Sequence, residues 1–199
     1  MLLKDKLKTK KLILASHSPR RKELISGTGL EFTLSDGYSV DEVYPDSLPA
    51  EDVAWYLAGL KSEGYPHALG PGEILITADT VVISGDKVLG KPESRKQALD
   101  MLSMLSSRKH TVVTGVVIRD AGRKRVFSVA TDVWFRQMGA EEMEYYVDTY
   151  KPYDKAGAYG IQEWIGYVAI ERIEGSFYNV MGLPVQTLYV ELDKFADTR

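Results

Sequence analysis

Apolar runs and amphipathic stretches alternate along the first part of the chain. Residues 11–15, which are mostly apolar, predict a short buried strand, and residues 31–35 predict a second one. Between them, residues 19–27 predict a helix, because Ser18 is a favoured N-cap and Pro19 a favoured first helical residue. The pattern therefore begins as strand, helix and strand.

The middle of the chain continues this alternation. Apolar residues recur at helical spacing over 49–63, which predicts a second helix. Residues 73–92 predict a buried strand that enters a hairpin about Gly85 and Asp86. A further helix is predicted over 94–105, where the apolar residues again share one face.

The second half contains the longest β-type runs. Residues 110–120 and 125–137 predict an antiparallel hairpin. A helix over 139–150, a strand over 166–175 and a closing helix over 184–195 follow. Since strands and helices alternate early and hairpins occupy the middle, we expect an α/β protein with a mixed sheet and flanking helices.

Composition limits the classes of protein that this pattern can represent. With 199 residues, 44% hydrophobic and 27% charged, residues 1–199 suit a single domain, or at most two lobes that share one core. The absence of cysteine excludes disulfides, thiolate metal sites and a cysteine nucleophile. The N-terminal apolar stretch is too short for a signal peptide, and no apolar run reaches the roughly 20 residues that span a membrane. We therefore expect a cytoplasmic protein that does not associate with membranes.

The charge balance narrows the choice of ligand. A net charge of −3, with both signs interspersed, argues against a nucleic-acid-binding module, because such proteins usually carry a basic excess. A few aimed cations can still hold a small anionic ligand. Small clusters of charged residues are therefore the candidate sites for ligand binding and catalysis.

The first such cluster follows the first predicted strand, in "ASHSPRR". A strand that runs through 16–18 into a helix places unpaired backbone N–H groups and the positive end of a helix dipole together, which favours an anion. Arg20 and Arg21 lie in the first turn, where the dipole disfavours cations, so an anion there would compensate them. The alternative is an ordinary solvated helix. His17 is interpreted as a turn residue, because no metal-spaced partner lies nearby.

A buried carboxylate is the second candidate. Asp79 and Thr80 interrupt an apolar run, and a carboxylate buried there needs a cation, a metal ion or an open cleft. It could orient Mg²⁺ or accept a proton from water, although a turn-forming aspartate at a strand end would look the same. Asp41 and Glu42 supply a second acidic element, which could equally be a loop.

Two lysines and one dense loop complete the candidates. Lys91 at the end of a hairpin and Lys61 on a helix could each meet a phosphate or lie on the surface. Residues 150–162 combine glycines with Gln162, whose amide could pair with a nucleobase edge. A tight helix-to-strand connection explains the same loop without a ligand.

Long motifs in this chain resemble those of one known family. "LASHSPRRKELI", "ADTVVI", "GKP", "MLSMLSSRKHTVVTGV", "DKAGAYGIQ" and "SFYNVMGLP" are similar to motifs of the Maf family of nucleoside triphosphate pyrophosphatases. They occur in order over about 12–192, nearly the whole chain. The resemblance is more specific than a single short motif.

The resemblance implies a fold and an activity. The implied fold is an elongated, twisted mixed sheet with flanking helices, in two lobes around a cleft, similar to that of the inosine triphosphate pyrophosphatases. The implied reaction converts a nucleoside triphosphate to the monophosphate and diphosphate with a divalent cation, Mg²⁺ or Mn²⁺. It also implies a cytoplasmic homodimer with a small nucleotide as substrate. The rival hypothesis is a non-catalytic regulator of cell division that binds a pyrimidine nucleotide.

The resemblance also assigns roles to residues of this sequence. The "DKAGAYGIQ" segment resembles the branch that acts on dTTP and UTP, and the resemblance of "ADT" implies that Asp79 is the proton acceptor. Our hypothesis is that Asp79 and Glu42 are the metal ligands. After Gln162 this chain has Glu163 and Trp164 where many members have a glycine next, which bears on base preference. The residues expected to bind substrate are Ser16, Ser18, Arg20, Arg21, Lys61, Thr80, Lys91 and Gln162.

Overall fold

A computed structural model describes residues 1–197 of the chain, which contain seven strands and eight α-helices. The strands are β1 Lys11–Leu14, β2 Thr33–Leu34, β3 Glu73–Ser84, β4 Lys87–Leu89, β5 Lys109–Arg119, β6 Lys124–Phe135 and β7 Ile170–Glu174. The helices are α1 Leu3–Lys6, α2 Pro19–Ser26, α3 Val53–Glu63, α4 Arg95–Leu105, α5 Ala140–Tyr150, α6 Trp164–Ala169, α7 Phe177–Met181 and α8 Val185–Asp197. In this range, no helix has the length and apolar character needed to cross a membrane.

The strands form one mixed sheet in the order β2-β1-β3-β5-β6-β7, with β4 paired to β3. Strand β1 runs parallel to both β2 and β3, whereas β4 is antiparallel to β3 and β7 is antiparallel to β6. Only four residues connect β5 to its neighbour β6, and so short a connection requires an antiparallel pair. The predicted α/β class with a mixed sheet is therefore confirmed.

The chain divides into two compact units. Unit 1 comprises Met1–Asp79, Thr114–Val129 and the residues from Gly182 onward. Unit 2 comprises Thr80–Val113 and Ala130–Met181. Strands β3, β5 and β6 contribute residues to both units.

The core of unit 1 joins α3 to the sheet at close range. The Thr77 hydroxyl donates a hydrogen bond to the Ala58 carbonyl of α3 over 2.8 Å. A Cβ added to Gly115 of β5 would lie 2.3 Å from the Cα of Trp55, so only glycine permits this approach of strand and helix. These contacts fix the side chains that α3 presents toward β3.

The core of unit 2 contains a buried aromatic cluster. The rings of His110, Phe135 and Tyr159 meet edge to face, with centroids 4.9 to 5.4 Å apart. His110 Nε2 lies 2.8 Å from the Tyr159 hydroxyl. Burial lowers the pKa of His110 to about 4, so the imidazole is neutral at pH 7.

Most predicted elements are confirmed, and one is wrong in part. Residues 166–175 were expected to form a strand, but α6 occupies Trp164–Ala169 and the strand begins only at Ile170. The Gly166 N–H donates to the Glu163 carbonyl over 2.9 Å, which closes a helical turn. Gly166 also approaches the Ile161 carbonyl so closely that a Cβ would be 1.7 Å from its oxygen. This close local approach of the backbone favours the helical turn over the β-type composition of the segment.

Candidate active site

The candidate residues of unit 1 meet where β1 ends beside β3. Parallel strands β1 and β3 are paired, with Leu14 opposite Ile76, so the carboxyl end of β1 lies beside the interior of β3. Beyond Leu14 the chain enters residues 16–18 and α2, and beyond Ile76 strand β3 reaches Asp79. The carboxyl end of a parallel strand such as β1 is where open α/β sheets bind ligands.

The start of α2 has the features of an anion site. Ser18 occupies the N-cap and Pro19 the first helical position, as predicted, but the Ser18 hydroxyl makes no capping bond. Instead the Ser18 N–H donates to the Ser16 hydroxyl oxygen over 3.2 Å. Arg20 is half-buried in the first turn. Exposed His17 has its Nε2 3.3 Å from the Tyr38 carbonyl, which agrees with a role in the turn.

Arg21 links three parts of unit 1. Its Nε donates to the Gly182 carbonyl and its Nη1 to the Ala78 carbonyl, each over 2.8 Å. Nη1 also lies 3.5 Å from the Ser16 hydroxyl. Burial lowers the pKa of the guanidinium, and the negative charge of Asp79 opposes that shift. Arg21 therefore joins the start of α2 to the backbone beside Asp79, and a phosphate contact by its other donors stays a prediction.

Lys61 holds the two predicted acidic residues together. Its ammonium donates a short hydrogen bond to Asp79 Oδ1 and lies 3.0 Å from Glu42 Oε1. Asp79 is only 8% exposed, so this cation compensates a charge that would be costly alone. The Lys61 carbonyl accepts a hydrogen bond from the Tyr38 hydroxyl over 2.5 Å, which anchors the end of α3.

The periodicities of strand and helix explain this meeting. Thr77 and Asp79 are two residues apart on β3, so both side chains face α3. Ala58 and Lys61 are three residues apart on α3, so they share a helix face. The bond from Thr77 to Ala58 therefore sets the register that brings Asp79 to Lys61.

Asp79 and Glu42 fit a divalent cation of the Mg²⁺ type. Their oxygens contact the same ammonium, so they are close enough to share one ion. Across residues 1–197, no group of three or more His, Cys, Asp or Glu side chains could hold a metal. Mg²⁺ in phosphate chemistry commonly uses one or two carboxylates and takes its other ligands from phosphate and water. The two carboxylates are therefore a sufficient protein contribution.

Three predicted site residues belong to unit 2. Thr80 is half-buried and directly follows Asp79 in β3, and Lys91 is exposed just after β4. The Gly90 carbonyl beside Lys91 accepts a hydrogen bond from the Gly157 N–H over 3.0 Å, which ties the Lys91 segment to the loop before Gln162. Gln162 Oε1 is buried and has no hydrogen-bond partner among the residues that the structure describes.

Sequence reasoning missed a polar cluster beside Gln162. Glu163 accepts a short hydrogen bond from the Tyr146 hydroxyl and lies 3.0 Å from Lys155 Nζ. Lys155 and Tyr146 are both buried. Buried polar residues need partners, and the only signal in the sequence was a glutamate where a glycine is common.

Two solved structures show a weak likeness to this chain. A nucleoside-triphosphatase / dITP/XTP pyrophosphatase from Mycobacterium abscessus aligns with a TM-score of 0.41 and 16% identity, over 91% of this chain and 93% of that one. A HAM1 protein from Coxiella burnetii aligns with a TM-score of 0.41 and 12% identity, over 65% and 74% of the two chains. The fold assignment rests on the strand order given above and not on these likenesses.

Sequence relatives are much closer. A protein of Parabacteroides distasonis named dTTP/UTP pyrophosphatase is 51% identical over 96% of this chain and 99% of its own. A protein of the same name from Porphyromonas gingivalis is 51% identical over 98% of both chains. The model of the family described as Maf-like protein matches residues 11–195. The chain therefore belongs to the Maf-like protein family.

Proposed function

We propose that this protein is a nucleoside triphosphate pyrophosphatase that hydrolyses dTTP and UTP to the monophosphate and diphosphate. The observation that carries the proposal is the contact of Lys61 with both Asp79 and Glu42, in the part of β3 just beyond the residues that pair with β1. The names of relatives about half identical over nearly their full length support the choice of substrate.

Asp79 is the proposed proton acceptor. The oxygen of a water molecule attacks the α-phosphorus, the bond from that phosphorus to the bridging oxygen breaks, and diphosphate leaves. The proton of the attacking water passes to the carboxylate of Asp79, which is the last residue of the first buried stretch of β3. Fixed positions and charges supply most of the catalysis in such phosphoryl chemistry.

The proposed phosphate ligands come from the cationic and N–H-rich part of the candidate site. Backbone and hydroxyl donors at Ser16 and Ser18 lie at the start of α2, next to Arg20 and Arg21. Lys61 and Lys91 are proposed to add point charges. Arg21 supports the phosphate site chiefly by joining the start of α2 to Ala78, since two of its donors bind backbone carbonyls.

Asp79 and Glu42 are the proposed ligands of Mg²⁺ or Mn²⁺. When bound, a divalent cation neutralises negative charge on the phosphate oxygens. Lys61 keeps both carboxylates beside one point and limits their mutual repulsion.

Gln162 is proposed to recognise the base, and Arg20 and Thr80 are proposed to contribute to substrate selectivity. Uracil and thymine present an N3–H donor beside carbonyl acceptors, and an amide matches this pattern with its oxygen and its NH₂ group. The unpartnered Oε1 of Gln162 supports this role, because a buried acceptor requires a donor. A slot too small for purines would complete the selection.

Family resemblance also supports a cytoplasmic homodimer. Sedimentation equilibrium of the purified protein tests this proposal directly. A mass near twice 22.3 kDa is expected, and a mass equal to that of one chain would refute the dimer.

Product identification across a nucleotide panel tests the activity itself. Purified protein with Mg²⁺ or Mn²⁺ is incubated with dTTP, UTP, dCTP and dGTP, and the products are separated by ion-exchange chromatography. We expect monophosphate and diphosphate from dTTP and UTP above all. Binding without turnover would favour the rival regulator, and release of inorganic phosphate with a nucleoside diphosphate would refute the pyrophosphatase proposal.

A further inference from the structure

Unit 2 contains a buried ion pair directly beside Gln162. Lys155 is 8% exposed, and its ammonium lies 3.0 Å from Glu163 Oε1 and 2.7 Å from Asp154 Oδ1. Glu163 Oε2 accepts a hydrogen bond from the Tyr146 hydroxyl. Both oxygens of Glu163 are therefore held by named donors, which fixes the plane of the carboxylate.

Gly160 brings this ion pair against the Gln162 amide. The position that a Cβ on Gly160 would take lies 3.0 Å from Lys155 Cε, 3.1 Å from Glu163 Cδ and 3.1 Å from Gln162 Nε2. These three atoms therefore crowd around one point. The Gly160 N–H donates to the Tyr146 hydroxyl over 3.0 Å, which keeps the backbone of this loop in place.

The two charges act in opposite ways on the orientation of the amide. A carboxylate attracts the NH₂ end of a glutamine, whereas an ammonium attracts its oxygen. Of the two amide atoms, Nε2 is the one among the three atoms nearest to this point, beside the ion pair, and Oε1 is a buried acceptor without a partner in the described chain. Glu163 is the charge that favours this orientation. Without it, Lys155 would favour the reverse one.

We propose that Glu163 is a positioning residue that keeps Gln162 Oε1 turned toward the base, as an acceptor for the N3–H of uracil or thymine. Cytosine has a lone pair at N3, so this orientation rejects it. This inference rests on the proposed function, because it deepens the base recognition assigned to Gln162. It explains why a charged residue stands next to Gln162 in this chain.

The test compares UTP with CTP in single variants. Glu163→Gln removes the negative charge with little change of shape, and we expect the ratio of kcat/KM for UTP to that for CTP to fall about tenfold or more. Glu163→Asp restores the charge and should recover part of the ratio. Asp154→Asn is the matched control, because it removes another carboxylate from the same lysine at a site exposed to solvent. Its ratio should equal that of the wild type.

Lys155→Met separates positioning from a merely structural role. This change breaks the same ion pair but leaves Glu163 beside the amide, so the preference for UTP should persist. If Glu163→Gln and Lys155→Met lower activity on UTP and CTP by one common factor, the ion pair only stabilises the loop and the inference is overturned. An unchanged ratio in Glu163→Gln overturns it as well.

Binding keeps this test independent of turnover. Calorimetric titrations with UTP and with CTP, in the presence of Ca²⁺, measure the ratio of the two binding affinities. This ratio is determined for the wild type and for Glu163→Gln. A protein that hydrolyses no triphosphate refutes the proposed function, and the binding ratio still decides the role of Glu163. A fall in that ratio supports the inference, and a constant ratio contradicts it.

Discussion

Lys61 in unit 1 and Lys155 in unit 2 each lie between two carboxylates. Lys61 contacts Asp79 and Glu42 in unit 1, and Lys155 contacts Glu163 and Asp154 in unit 2. We call each lysine with its two carboxylates a trio. In each trio one acid is largely buried and the other is exposed. The composition and burial of a charged cluster therefore do not reveal what it does.

The two trios differ in what surrounds the buried acid. Tyr146 and Lys155 bind the two oxygens of Glu163, so the orientation of this carboxylate is fixed. Asp79 meets Lys61 through Oδ1, and the adjacent Ala78 carbonyl is bound by Arg21 from the start of α2. The neighbours of a carboxylate, more than its own burial, separate a chemical role from a positioning role.

Replacing the buried acid in unit 1 should have the largest effect. Asp79→Asn removes the proton acceptor, so we expect kcat to fall by about 10²- to 10⁴-fold, while the thermal midpoint stays close to that of the wild type. Steady-state kinetics with dTTP and a thermal melt measure both. Glu163→Gln is the comparison from unit 2 and should lower kcat for dTTP far less than Asp79→Asn does, because Glu163 takes no part in the chemical step. Equal losses of kcat in the two variants would contradict the distinction between a chemical role for Asp79 and a positioning role for Glu163.

The unit 1 trio should also depend on the packing of α3. Gly115→Ala places a Cβ 2.3 Å from Trp55 backbone atoms, so we expect about 3 kcal/mol of lost stability and reduced turnover as Lys61 shifts. Urea unfolding and dTTP kinetics check this. Gly59→Ala on the same helix has open space at its Cβ and should be neutral or stabilise by up to about 1 kcal/mol. Wild-type stability in Gly115→Ala would contradict the close packing.

Unit 2 should add a dependence of stability on pH through His110. The folded pKa of about 4 lies below the ordinary 6.5, so between these values the unfolded chain takes up a proton that the folded chain does not. The contribution of His110 to the free energy of unfolding is therefore fully present above pH 6.5, and it falls by about 3 kcal/mol toward pH 4. Urea unfolding of the wild type and His110→Gln at pH 7 and pH 4.5 measures this. An equally large loss in both proteins would exclude His110 as its source.

A smaller effect is expected from the tyrosine that sets the unit 2 trio apart. Tyr146→Phe removes the donor to Glu163 and the acceptor for the Gly160 N–H, so stability should fall by about 1–3 kcal/mol. Burial and the bond to Glu163 raise the pKa of this hydroxyl, so it is a protonated donor at neutral pH. Tyr150→Phe on the same helix is the control for chemical unfolding. Equal losses of unfolding free energy in the two variants would show that the hydrogen bonds of the Tyr146 hydroxyl do not stabilise the protein.

Local patterns predicted much of the fold and part of the candidate site. The start of α2 and the buried strand with Asp79 depend on residues adjacent in sequence, so their composition was sufficient. The meeting of Lys61 with Asp79 and Glu42 depends on the register of α3 against β3, which no local pattern contains. Helix α6 was missed because a backbone contact between Gly166 and Ile161 decides its conformation. The cluster at Glu163 likewise depends on Tyr146 from a different helix.

The most direct test of the central claim is hydrolysis of dTTP in ¹⁸O-labelled water by the wild type and Asp79→Asn. Mass spectrometry locates the label in the products. We expect the wild type to place one ¹⁸O in the phosphate of dTMP and none in diphosphate, and Asp79→Asn to form labelled dTMP at least about 10²-fold more slowly. Label in diphosphate, or undiminished turnover by Asp79→Asn, would contradict attack on the α-phosphorus assisted by Asp79.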